Sequence, residues 1–130
     1  ILGLDRAWNT MVIGMGRLGR AVVSYPGFAP EGFNIVAAFD ADDSIVGETV
    51  SGLDIQSISD LAKTVKEKDI KIGIVTVPIE RAQEVIDTLV DAGIKSILNY
   101  APLSPKVPEG VTVRGIDPVL SLQSMTYYIS

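Results

Sequence analysis

A doubly wound, mostly parallel α/β sheet is the fold class this sequence predicts, and three observations predict it. Short apolar runs alternate with amphipathic helical stretches along the whole chain. The first run leads into three spaced glycines and then into a helix. A central run, "IGIVTVP" from Ile72 to Pro78, is almost wholly apolar, the mark of a parallel strand covered on both faces.

The elements follow in order. Met11 to Ile13 is a buried strand, and Arg17 to Tyr25 a helix stopped by Pro26 and Gly27. Phe33 to Phe39 is a second strand that closes on Asp40. Asp42 to Gly52 reads as turns and Leu53 to Ile55 as a brief strand. Ser57, with Asp60 three residues on, is a capping-box-like start to a helix reaching about Lys68; Ile58, Leu61, Ala62 and Val65 form its apolar stripe. Pro78 suits the first turn of the next helix, which carries Ala82, Val85, Ile86, Leu89 and Val90 on one face and Gly93 as its cap. Ser96 to Tyr100 is another strand. Prolines 102, 105 and 108 punctuate a loop, and Val111 to Val113 is the last strand. Asp117 and Pro118 start a final helix running to about Ile129. Val119, Leu122, Met125 and Ile129 give that helix an apolar stripe, which Leu120, Tyr127 and Tyr128 widen. A helix apolar over most of its circumference calls for burial on more than one side, and exchange into a twofold partner supplies it.

The totals narrow the function classes. With 130 residues, 47% of them apolar and 21% charged, the chain suits one domain with a real core. No stretch approaches the roughly 20 apolar residues of a membrane span, and the start carries no secretion-signal pattern, so no membrane association is expected. A net charge of −5 with no cluster of Lys and Arg makes the chain by itself a poor nucleic-acid ligand. There are no cysteines, hence no disulfides and no thiolate metal site, which is compatible with the cytoplasm. There are no histidines either, so the commonest general acid–base and metal ligand is missing. No metal site is expected.

Gly14, Gly16 and Gly19 spell G-x-G-x-x-G between a strand and a helix. The first glycine permits a tight turn, the second lets backbone approach a pyrophosphate, and the third lets helix and strand pack closely. The helix start offers free N–H groups to the phosphates. Asp40 lies 21 residues after Gly19, at the end of the second strand, where a carboxylate can accept both ribose hydroxyls of an adenosine half. This context predicts a dinucleotide site of the Rossmann type, with Met15, Arg17 and Leu18 in the loop and Ala41 beside the acid. Asp40 also predicts NAD(H) over NADP(H). A 2′-phosphate would meet Asp40, with Asp42 and Asp43 nearby and no arginine following to compensate. Asp42 and Asp43 themselves read as solvated turn residues.

Ligands of such sheets lie over the C-terminal strand ends near the switch in strand order. That rule selects Thr76, Val77 and Pro78 after one strand, and Asn99, Tyr100, Ala101 and Pro102 after the next. This rim is mostly apolar or neutral, which favours the neutral reduced nicotinamide over the cationic oxidised ring. The competing reading of Thr76 and Asn99 is turn and cap chemistry. No catalytic acid–base pair stands out, and no substrate domain follows, so the chain reads as a non-enzyme.

"LGLDRAWN", "GMGRLGRAV", "GFNIVAAFDAD", "TVPIERAQEVIDTLVDAGIKSILNYAP", "VPEGVTV" and "LSLQSMTYYIS" together resemble the C-terminal part of the Rex family of redox-sensing transcriptional repressors, over essentially the whole chain. The resemblance implies NADH and NAD⁺ as ligands. It implies a glycine loop that holds the pyrophosphate, Asp40 on the adenosine ribose, and a nicotinamide side lined by Thr76 to Pro78 and Asn99 to Pro102. Asp117 matches an aspartate of the family's interdomain switch and joins the expected cofactor set. The resemblance further implies a homodimer formed by exchange of the C-terminal helix, and operator DNA bound through an N-terminal winged helix absent from this chain and released when NADH rises. Tyr100 departs from the phenylalanine many relatives carry. On this reading residues 1–9 are the remnant of an interdomain connection, 10–116 the dinucleotide-binding domain, and 117–130 the dimerisation helix. Two other readings stay open: the cofactor half of a dehydrogenase, and a coenzyme A-binding domain of the succinyl-CoA ligase type, which the "AGIKSIL" stretch resembles.

Overall fold

A computed structural model of the chain describes residues 7–116, 118–126 and 129. Seven strands form one sheet: β1 (Trp8–Ile13), β2 (Phe33–Asp40), β3 (Thr49–Val50), β4 (Leu53–Ser57), β5 (Ile72–Val75), β6 (Ser96–Asn99) and β7 (Thr112–Gly115). Their spatial order is β3-β4-β2-β1-β5-β6-β7. All neighbours are parallel except β3, which pairs antiparallel with β4. The helices are α1 (Arg17–Ser24), α2 (Leu61–Glu67), α3 (Ile79–Asp91) and α4 (Pro118–Thr126). The chain walks outward from β1 through β2 to β4, then returns to β5 on the other side of β1. The doubly wound expectation holds, and the switch in strand order falls between β1 and β5.

Strand periodicity sorts the core into two layers. Met11, Ile13, Ala37, Phe39 and Val75 face one side, against Leu61 and Val65 of α2 and Val85, Ile86 and Leu89 of α3. Val12, Ala38, Ile55 and Ile74 face the other, with Met15 and with Val22 and Val23 of α1. One helix therefore covers the sheet from one face and two from the opposite face.

Several boundaries differ from the sequence expectation, each for a local reason. β1 begins at Trp8, so Trp8 and Asn9 belong to the strand; their polar or bulky side chains hide the pattern, but the backbone pairs with Phe33 and Asn34. The expected turn from Asp42 to Gly52 contains β3, joined to β4 by a two-residue turn with positive φ at Ser51 and Gly52. The stretch after Ser57 opens as a 3₁₀ turn at Ile58–Asp60 before α2 proper, with the Ser57 hydroxyl accepting the Ser59 N–H at 3.2 Å. β5 ends at Val75, two residues before Val77, because Thr76 is drawn toward the glycine loop and Pro78 has no N–H for the ladder. The final helix runs from Pro118 to Thr126. Its expected cap, Asp117, lies outside the described residues, as do Tyr127 and Tyr128. Val119, Leu122 and Met125 are exposed, each at about 60%. No helix among the described residues is long and apolar enough to cross a membrane.

Candidate functional site

The parallel register lines up the C-terminal strand ends. Ile13 sits opposite Phe39 on one side and Val75 on the other, and Val75 opposite Asn99. One residue further along each strand stand Gly14, Asp40, Thr76 and Tyr100. The ladder carries on into this row: the Gly14 N–H donates to the Phe39 carbonyl at 2.8 Å and the Thr76 N–H to the Ile13 carbonyl at 3.0 Å.

Above the row, between α1 and α3, opens a cleft of about 430 Å³. Of the residues expected from sequence, Gly14, Gly16, Arg17, Leu18, Asp40, Ala41, Thr76, Val77 and Pro78 line it together. Ile13, Ile58, Arg81 and Val85 complete the wall. As site residues these four escaped the sequence reading; for Arg81 and Val85 a signal existed. The available signal was their spacing: three residues past Pro78, then four more, which is one face of the helix that starts at the rim.

The glycine loop is tied down from every side. Gly14 has φ +103°, and a Cβ there would lie 2.6 Å from the Thr76 carbonyl oxygen. A Cβ on Gly19 would fall on the Gly14 carbonyl oxygen, so this position admits no side chain without displacing the loop. Thr76 is buried, and its hydroxyl donates to the Gly14 carbonyl at 2.7 Å. The Met15 side chain is fully buried in the α1-side core. Its N–H donates to Asp40 Oδ2 at 2.6 Å, and its carbonyl accepts from Arg20 Nε at 3.0 Å. Arg20 in turn pairs with Glu48, ahead of β3, at 2.8 Å. Met15 thus contributes backbone, not side chain.

Gly16 is different. A Cβ added there would meet nothing within 4 Å, and no side chain caps the first turn of α1. The space over Gly16 and the uncapped N–H groups of that turn form a cradle for a diphosphate. Asp40 Oδ1 accepts the Asp42 N–H at 2.8 Å, and the half-buried carboxylate retains lone pairs for ribose hydroxyls. Asp42 serves its own turn. The Ser44 hydroxyl and then the Ser44 N–H hold its carboxyl below the ordinary value.

The residues after β6 lie outside this cleft. Asn99 is fully buried and spends its side chain on a turn, donating to the Ala101 carbonyl and accepting the Ala101 N–H, both at 3.0 Å. That is the turn chemistry weighed against ligand contact. Ala101 is buried beside it and Pro102 is exposed. Tyr100 lines a separate hollow on the α1 face with Ala21, Val22, Tyr25 and Phe28. The cleft thus gathers the glycine loop, Asp40 and Ala41, and Thr76 to Pro78, and leaves out the residues expected after β6.

A family model described as "CoA binding domain" matches residues 5–103. The chain is 48% identical, over all 130 residues, to the redox-sensing transcriptional repressor Rex of Chloroflexus aggregans, and covers 61% of that protein. The crystal structure of RSP in complex with β-NADH superposes with a TM-score of 0.90 at 34% identity, over 98% of this chain and 62% of that one. The structure of RSP with β-NAD⁺ and operator DNA gives the same score and identity, over 98% of this chain and 59% of that one. The chain thus spans about three fifths of the length of these relatives. With glycine loop, terminal acid and strand order all in place, the chain belongs to the CoA-binding-domain family, and over its whole length it is similar to the Rex redox-sensing transcriptional repressors.

Proposed function

We propose that this chain is an NAD(H)-binding sensor domain whose ligand is a signal and not a substrate. The observation that carries the reading is Asp40. Its carboxylate is anchored on the glycine loop, at the strand end where an adenosine ribose is gripped. Gly14, Gly16, Gly19 and the first turn of α1 hold the diphosphate, and Asp40 takes the ribose. When bound, the nicotinamide supplies a ring that differs in charge between its two redox states. The mostly neutral residues after β6, Tyr100 and Pro102 among them, favour the uncharged reduced ring. Asp40 also disfavours a 2′-phosphate, which points to NADH over NADPH.

The output is a change in the geometry of a dimer. A ligand shifts such an equilibrium only through its difference in affinity for the two states. The apolar α4 is the proposed contact, since Val119, Leu122 and Met125 stand exposed on it. Asp117, just before α4, is proposed to take part in the switch. Operator DNA is bound by a part of the protein beyond these residues, in keeping with a net charge of −5 here and with the fraction of the relatives that is matched. The lack of any histidine or cysteine supports a non-enzymatic role.

The description of the matching family favours coenzyme A as a second reading. Coenzyme A shares the adenosine diphosphate but carries a phosphate on the ribose, next to Asp40. Calorimetric titration with NADH, NAD⁺, NADPH and coenzyme A, with the mass measured in solution, decides the matter. The expected order has NADH tightest and coenzyme A weakest. Tighter binding of coenzyme A than of NADH overturns the proposal.

A further inference from the structure

The cleft has one feature that the diphosphate and the ribose do not use. Arg81 stands in the first turn of α3, on the sheet face opposite α1, and lines the cleft with Ile58, Val77 and Val85. Val85 is one helical turn beyond Arg81 and belongs to the core, and Ile58 and Val77 pack on the same core. This end of the cleft therefore has an apolar wall with a guanidinium at its rim. The side chain of Arg81 is about half exposed (47%) and its carboxylate neighbour, Glu84, is 3.7 Å away, too far for a good hydrogen bond. Such a pair is worth little, so the guanidinium is free to take a ligand.

Three aliphatic side chains are poor company for a phosphate, which would lose its hydration without gaining donors. They suit a flat apolar ring. A guanidinium is itself planar and stacks on aromatic faces. Asp40 and Ala41 line the same cleft, so the base on a ribose held by Asp40 is within reach of this wall.

We propose that Arg81 is a ligand-binding residue that stacks over the purine of the bound nucleotide and closes it against Ile58 and Val85. The proposal rests on the dinucleotide reading above but concerns only the adenine end, which ADP shares. Arg81 thereby raises affinity for both redox forms equally and leaves their ratio to the nicotinamide side.

The test titrates NADH, NAD⁺ and ADP into the whole chain and into Arg81→Ala, Arg81→Lys and Arg81→Tyr, with thermal unfolding as a check on folding. Arg81→Ala is expected to weaken all three ligands by about tenfold, with the NADH to NAD⁺ affinity ratio unchanged. Arg81→Tyr restores most of the loss, because an uncharged ring still stacks, whereas Arg81→Lys restores little. The reverse pattern, full rescue by lysine and none by tyrosine, makes the contact a phosphate contact and overturns the proposal. Unchanged affinity in Arg81→Ala overturns it too. A parent chain that binds ADP but not NADH defeats the nicotinamide reading alone, and Arg81 is then judged on ADP. A parent that binds neither defeats both.

Discussion

Asp40 and Met15, 25 positions apart in sequence, are joined by a 2.6 Å hydrogen bond from the Met15 N–H to the Asp40 carboxylate. The acid proposed to grip the ribose is thus also the anchor of the loop proposed to grip the diphosphate. Removing it should disturb both. Hydrogen bonds to charged groups contribute about 1.5–3 kcal/mol, so Asp40→Ala is expected to weaken NADH at least about tenfold. Its preference for NADH over NADPH should shrink as the repelling charge goes. Asp40→Asn keeps one acceptor for Met15 and should fall between the two. An Asp40→Ala chain with parental affinities in both titrations would contradict the assignment.

The second and third glycines of the loop should separate folding from binding. Gly16 has φ −77° and open space where a Cβ would go, so Gly16→Ala should leave thermal stability nearly unchanged and weaken NADH. In Gly19→Ala the new methyl must displace the Gly14 carbonyl, a kind of overpacking that costs about 1–3 kcal/mol or more. Urea unfolding beside NADH titration reads both. Equal loss of stability in the two variants would remove the distinction.

Thr76 acts here through its hydroxyl on the Gly14 carbonyl, at a buried position. Thr76→Val leaves that carbonyl without this partner, a loss of about 1–3 kcal/mol. Thr76→Ser keeps the donor and should recover most of it. The difference in urea midpoint between the valine and serine variants measures the bond.

Leu122 and Met125 are about 60% exposed on α4. If α4 forms the dimer, the double variant Leu122→Glu, Met125→Glu should sediment as a monomer and still show the circular dichroism of the folded sheet. A double variant with the parent's dimeric mass would place the contact elsewhere.

Much of this molecule was legible in the sequence because the signals are local. Alternation along β1 and β2 already assigns Ile13 and Phe39 to one layer and Val12 and Ala38 to the other. Glycine spacing locates the loop, and the acid that ends β2 stands beside it. The hairpin of β3 went unread because two residues carry no period. Asn99 looked like a rim residue because a buried asparagine in a turn and one over a ligand look alike along the chain.

What the sequence determined by itself is the strand–helix alternation, the apolar faces and the glycine loop, all set by backbone preference and short-range spacing. Only the tertiary structure decided which groups meet. Thr76 reaches Gly14 across 62 residues, and Arg81 enters the cleft only because β5 pairs with β1 and carries α3 to its edge. Contacts of that kind follow from the order of strands in the sheet, and no local pattern encodes that order.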